Sequence, residues 1–138
     1  MKGVVTRLAL LALCTAYIQG PFMKIGDFAS ARAEMAHFDL HPAAPMAFGV
    51  IVFELAASIM VVSGWRRRPA ALALAGFTLM ATMLALRFWE LAPGSVERMM
   101  AMNAFFEHLG LAGAFILVAA GLPQGGRGSS ARHFARYA

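Results

Sequence analysis

MAFGVIVFELAASIMVVSGWRRR, residues 46–68, decides the architecture. Between Met46 and Gly64 the only charged side chain is Glu54, and three arginines follow at once. A helix needs about 20 apolar residues to cross a bilayer, and this stretch supplies them. Inside lipid only helices and closed barrels satisfy their own backbone. The run is too long and too continuous for a barrel strand, so it reads as a membrane helix.

Working outward, three more stretches have the same character. They cover residues 4–23, 69–88 and 102–121, with residues 46–64 as the second of four. Pro69 suits a first helical turn. Sixty per cent of the 138 residues are hydrophobic and 14% charged, against roughly 25% charged in ordinary soluble domains. So small a chain cannot hide that much apolar surface inside a globule. The expected fold is an all-α bundle of four transmembrane helices over residues 1–123, followed by a flexible basic tail over 124–138. No internal repeat is evident.

The first span could be a signal peptide, since Lys2 and Arg7 precede its apolar run. Residues 17–21, Tyr-Ile-Gln-Gly-Pro, lack a small-residue cleavage pattern, there is no twin arginine, and Leu13 before Cys14 does not suit a lipoprotein site. Retention as a helix is expected. A lone cysteine forms neither an internal disulfide nor a CxxC pair.

Charge then orients the bundle. One side holds Lys2, Arg7, Arg66, Arg67, Arg68, Arg127, Arg132 and Arg136 with no acid. The other holds Lys24, Arg32, Arg87 and Arg98 against Asp27, Glu34, Asp39, Glu90 and Glu97. The positive-inside rule places both termini and the arginine triplet in the cytoplasm. It also accounts for the net charge of +5 without nucleic acid, because the basic residues form no stripe interleaved with aromatics. Trp65 and Trp89 fall where interfacial aromatics belong.

The outer segment from Gly26 to Pro45 spaces Phe28, Ala31, Met35 and Phe38 as on a helix, with Asp27 as a candidate N-cap. A short interfacial helix is expected there. The alternative is an irregular loop, since Pro42 and Pro45 interrupt its end. Ser95 can cap a helix that leads into the fourth span.

Polar residues inside the spans are the candidate site. Glu54 lies about 12 Å and the pair Glu107–His108 about 8 Å from the outer ends, at about 1.5 Å per residue. Tyr17, Gln19 and Lys24 belong to the outer half of the first span, Arg87 to the end of the third, and Asn103 to the start of the fourth. Charges at a span centre cost about 2.5–3.5 kcal/mol even on the lenient insertion scale, so both glutamates are expected to face the interior, against Lys24 or Arg87. Asn103 and Glu107 are four apart and share a face, continued by the small Gly110 and Ala114. His108 is turned about 100° away. Two functions fit: a polar pocket, with Glu54, Glu107 and His108 as a candidate proton relay and Tyr17, Gln19, Lys24, Arg87 and Asn103 as substrate-binding groups, or a network that clamps the helices.

Other chemistries find less support. His37 and His41 are four apart but have no third ligand, and the methionines at 99, 100 and 102 read as packing groups, so no metal is assigned. A haem held by His108 would need a second imidazole within a span, and none is there. There is no flavin or nucleotide motif.

The chain resembles the DoxX family over about residues 5 to 123. The resemblance is carried by YIQGPFMKIGDF at the end of the first span, FELAASIMVVSGWRRRPAAL in the second, ATMLALRFWEL in the third and NAFFEHLGLAGAFILVAAGLP in the fourth. Ala114 departs from a second glycine found in many relatives, which alters packing rather than chemistry. The resemblance implies a four-helix protein of the bacterial inner membrane. It also implies association with redox chemistry, because the family is named for a small subunit linked to thiosulfate:quinone oxidoreduction. It carries Lys24, Glu54, Arg87, Asn103, Glu107 and His108 over as the candidate site. The function expected is a redox-associated component that interacts with a quinone and relies on a protein partner, or a homo-oligomer, for what it lacks. The alternatives are a non-catalytic membrane anchor or assembly subunit, and a small-solute transporter.

Overall fold

The computed structural model describes residues 2–121. The tail expected over 124–138 lies outside the described residues. Among the described residues five α-helices follow one another: α1 (Lys2–Gly26), α2 (Phe28–His37), α3 (Ala43–Ser63), α4 (Arg67–Ala85) and α5 (Val96–Ala120), with a 3-10 turn at Phe88–Glu90. Four of them, all but α2, are long and apolar enough to cross a membrane.

α3 packs against α1 and α4, and α5 packs against α4. Each long helix turns one stripe inward at spacings of three and four residues. On α1 it runs Leu10, Cys14, Tyr17 and Pro21. On α3 it runs Ala47, Ile51, Glu54, Ser58 and Val61. On α4 it runs Ala71, Leu74, Ala75, Thr78 and Thr82, and on α5 Ala112, Phe115 and Ala119. These are the rows that meet when helices pack lengthwise. Pro21 lies within α1 without ending it. Membrane helices tolerate this because neighbouring groups re-satisfy the freed backbone. α1 and α5 meet mainly through large side chains. Phe115 has no exposed surface, and its ring stands edge-on to Tyr17 at 5.4 Å between centroids.

The ends of the helices follow from local chemistry. Gly64 closes α3 with φ +92°, and a Cβ there would sit 3.2 Å from the Arg67 guanidinium, so the turn wants glycine. Arg67 Nε donates to the Val61 carbonyl at 2.7 Å and so satisfies an orphan acceptor in the last turn of α3. The arginine triplet therefore has a structural duty besides its charge. At the opposite end of the bundle, Ser95 caps α5 by accepting from Arg98 N at 3.2 Å.

The expected interfacial helix is α2, and Asp27 is its N-cap. Its carboxylate accepts from the Ser30 amide at 3.0 Å and from the Ser30 hydroxyl at 2.7 Å. Ala31 and Met35 are buried against Ala47 of α3, with Leu40, Ala43 and Val50 around them, so α2 roofs one end of the bundle. The hydrogen bonds hold the Asp27 carboxyl below the usual aspartate range, the backbone bond foremost. A depressed carboxylate stabilises the fold above its unfolded pKa, and this support fades as pH falls through the lower folded value. Asp27→Ala is expected to lower the protection factor of the Ser30 amide at neutral pH, and protonation of Asp27 on acidification to lower it likewise in the unsubstituted chain, each measured against the intrinsic exchange rate at the same pH.

Several boundaries differ from the expected spans: α1 runs on to Gly26, α3 begins at Ala43, and two more shifts bear on the link between α4 and α5. α4 ends at Ala85, not 88, so Arg87 lies in the link to α5, where it is half exposed and its Nη1 meets Glu90 Oε1 at 3.1 Å. Its partner is local, and it does not reach Glu54. α5 starts at Val96, ahead of residue 102, because Ser95 can nucleate it there.

Candidate functional site

Beneath α2 lies a cavity of about 340 Å³. All five helices contribute to its wall. Most of that wall is apolar, from side chains such as Phe38, Met46, Val50, Phe77 and Leu84. A small number of polar groups interrupt it: Tyr17 and Lys24 from α1, Glu34 from α2, Glu54 from α3, Thr78 from α4 and His108 from α5.

Their positions follow from the inward stripes. Tyr17, Pro21 and Lys24 continue the row of Leu10 and Cys14 on α1 at spacings of four and three. Glu54 belongs to the row of Ile51 and Ser58 on α3. His108 stands four residues before Ala112 and so heads the inward row of α5. Lys24 Nζ approaches Glu54 Oε2 to 3.8 Å, too long for a hydrogen bond, and Glu54 Oε2 is buried with no hydrogen-bond partner. The side chains of the pair are 20% and 9% exposed, so the lysine has access to solvent that the carboxylate lacks.

A polar chain crosses the bundle from α1 to α5. Tyr17 Oη bonds Thr78 Oγ1. Thr78 Oγ1 also donates to the Leu74 carbonyl at 2.6 Å, and Thr82 Oγ1 donates to the Thr78 carbonyl at 2.6 Å. Thr82 Oγ1 then meets His108 Nδ1 at 2.9 Å. Buried hydroxyls require such partners, and here the bonds tie α1 to α4 and α4 to α5.

Four sequence candidates lie elsewhere. Gln19 is exposed on α1, Arg87 is in the link, and Asn103 and Glu107 are exposed on α5. Glu107 was expected to face the interior, and it does not. The row that packs inward on α5 is the one containing His108, Ala112 and Phe115, and the row of Asn103, Glu107 and Gly110 is rotated away from it. A Cβ on Gly110 would meet nothing within 4 Å, so no neighbour uses its small size. Sequence reasoning missed Glu34, Thr78 and Thr82 as members of the site. The spacing of Thr78 and Thr82, one turn apart in a span of Leu, Ala and Met, was the available signal. Among the described residues no group of three or more His, Cys, Asp or Glu side chains converges as a metal site.

A family model described as DoxX matches residues 4–87, more than half of the chain. The chain belongs to the DoxX family. Neither the curated proteins nor the solved structures include a match. The DoxX match takes in α1, α2, α3 and α4, and with them Tyr17, Lys24, Glu34, Glu54, Thr78 and Thr82. His108 lies beyond the matched residues, on α5.

Proposed function

We propose that this DoxX-family membrane protein is a redox-associated component of the bacterial inner membrane that binds a quinone headgroup in the cavity under α2. The observation that carries the reading is Glu54 Oε2, buried without a hydrogen-bond partner at the edge of an apolar cavity. A buried carboxylate oxygen left unpaired costs free energy that a bound donor returns. The cavity volume of about 340 Å³ lies within the range of small-molecule sites, roughly 300–1,000 Å³. An apolar wall with a few fixed polar groups suits an aromatic ring with an apolar tail. When bound, such a ring supplies the redox chemistry, and the electrons come from a partner protein. Glu54 and His108 would hold or move protons at the headgroup.

The test is direct. The protein is reconstituted in nanodiscs with excess quinone, oxidised in one sample and reduced beforehand in another, re-isolated, and its bound quinone measured by redox-difference absorbance. Near-stoichiometric quinone is the expected result, and none in either sample overturns the reading.

A second reading, an anchor or assembly subunit for a partner protein, is favoured by Asn103 and Glu107. Both are exposed on a membrane-spanning helix, where polar groups facing lipid are costly. It predicts that Glu107→Leu leaves quinone binding intact and releases a partner that copurifies with the unsubstituted chain.

The orientation proposed places both termini and the Arg66–Arg68 turn in the cytoplasm, with α2 and the cavity on the outer side. Support comes from the charge asymmetry between the two ends. In a Cys14→Ala background, Ser30→Cys is expected to react with a membrane-impermeant maleimide added to intact spheroplasts. Trp65→Cys is expected to react only after permeabilisation.

A further inference from the structure

The positions of the heavy atoms fix where several hydrogens lie. Thr82 Oγ1 is 2.6 Å from the Thr78 carbonyl oxygen. Two oxygens that close need a proton between them, and a carbonyl has none to give. The single hydroxyl hydrogen of Thr82 therefore points to Thr78. Toward His108 Nδ1, 2.9 Å away, Thr82 can only accept. Nδ1 must carry the hydrogen, and in a neutral imidazole Nε2 is then a bare acceptor. The same reasoning applies one turn earlier. Thr78 gives its hydrogen to the Leu74 carbonyl at 2.6 Å, so Tyr17 Oη donates to Thr78 and keeps only lone pairs for anything else.

The cavity thus has a pronounced hydrogen-bond polarity. Tyr17 Oη, His108 Nε2 and the carboxylates of Glu34 and Glu54 are acceptors. Among the described side chains lining the cavity, the Lys24 ammonium alone has hydrogens left to offer. An oxidised quinone presents two carbonyls, which only accept. A hydroquinone presents two hydroxyls, which donate, and hydrogen bonds to a carboxylate are among the stronger ones.

We infer that the cavity binds the reduced, hydroxyl-bearing form of a quinone headgroup in preference to the oxidised form. This rests on the quinone reading above and adds which redox form the site selects. Glu54 and His108 are the acceptors assigned to the hydroxyls, and Thr82 is a positioning residue that sets the imidazole tautomer.

The experiment compares both forms of one short-chain ubiquinone analogue on the protein in nanodiscs. Equilibrium dialysis under anaerobic conditions gives Kd for the oxidised analogue and for the same compound reduced beforehand. One additional hydrogen bond to a charged acceptor predicts about tenfold tighter binding of the quinol or more. Equal binding, or tighter binding of the quinone, overturns the inference and leaves the quinone reading standing. Binding of neither form overturns both. Thr82→Val keeps the side-chain shape and removes the acceptor for Nδ1–H, so the preference is expected to narrow several-fold. An unchanged preference overturns the assignment to His108. A separate readout needs no ligand: ¹⁵N spectra, with His108 assigned by its loss in His108→Gln, are expected to show protonated Nδ1 and bare Nε2. The opposite tautomer, or an imidazolium, overturns the inference.

Discussion

Glu54→Gln is expected to weaken quinol binding by about ten- to 150-fold while the protein still folds. The magnitude follows from the net worth of a hydrogen bond to a charged group, about 1.5–3 kcal/mol, with each 1.4 kcal/mol a factor of ten. Glutamine has nearly the same shape as glutamate, so the packing of α3 in the bundle is kept. Lys24 loses its counter-charge, but its side chain is 20% exposed and can remain solvated, so the substitution does not strand a buried cation. The two roles considered for Glu54 predict opposite patterns. A ligand-binding carboxylate gives weakened binding with a thermal midpoint close to that of the unsubstituted chain. A helix clamp gives a lowered midpoint with unaltered ligand affinity. Measuring both quantities on one nanodisc preparation separates them, and the second pattern would remove Glu54 from the site.

Phe115→Ala is expected to cause the largest loss of stability, about 2–3 kcal/mol. In soluble cores a change from phenylalanine to alanine costs about 3–5 kcal/mol, of which part is transfer from water. That part is reduced here, because a lipid-exposed helix is already in an apolar medium. What remains is lost packing, and Phe115 has no exposed surface. Its ring lies against Tyr17 and fills the space where α1 and α5 face each other. The substitution removes the contact that holds Tyr17 toward Thr78, so ligand binding should weaken with stability. Ile116→Ala is the control. Ile116 is 48% exposed, and its truncation is expected to cost under about 0.5 kcal/mol, the ordinary range for surface positions. Unfolding by a denaturing detergent, followed by circular dichroism, compares the two. Similar losses would show that the α1–α5 seam does not depend on Phe115.

The sequence made the helices legible because the signals were strong and local. Four apolar runs of spanning length, Asp27 ahead of α2, Ser95 ahead of α5 and Gly64 after α3 each act through their own backbone neighbourhood. The DoxX resemblance was legible too, and the family match to residues 4–87 agrees with it. Lys24, Glu54, Tyr17 and His108 could be named as polar residues in apolar surroundings, and they do line one cavity. Thr78 and Thr82 could not be picked out in the same way, because a threonine in a membrane helix carries no charge to make it conspicuous.

What the residue order determined, then, was which segments are helical and which polar groups lie within them. The tertiary structure alone decided which face of each helix turns inward. In water, the polar side of an amphipathic helix marks its outer face. In lipid, the surroundings are as apolar as the core, so that mark is lost. Both rows of α5 carry small residues, and either could have packed. The packing of Ala112 and Phe115 against α1 and α4 selected the row that begins with His108. That choice put the imidazole beside Thr82 and left Asn103 and Glu107 exposed.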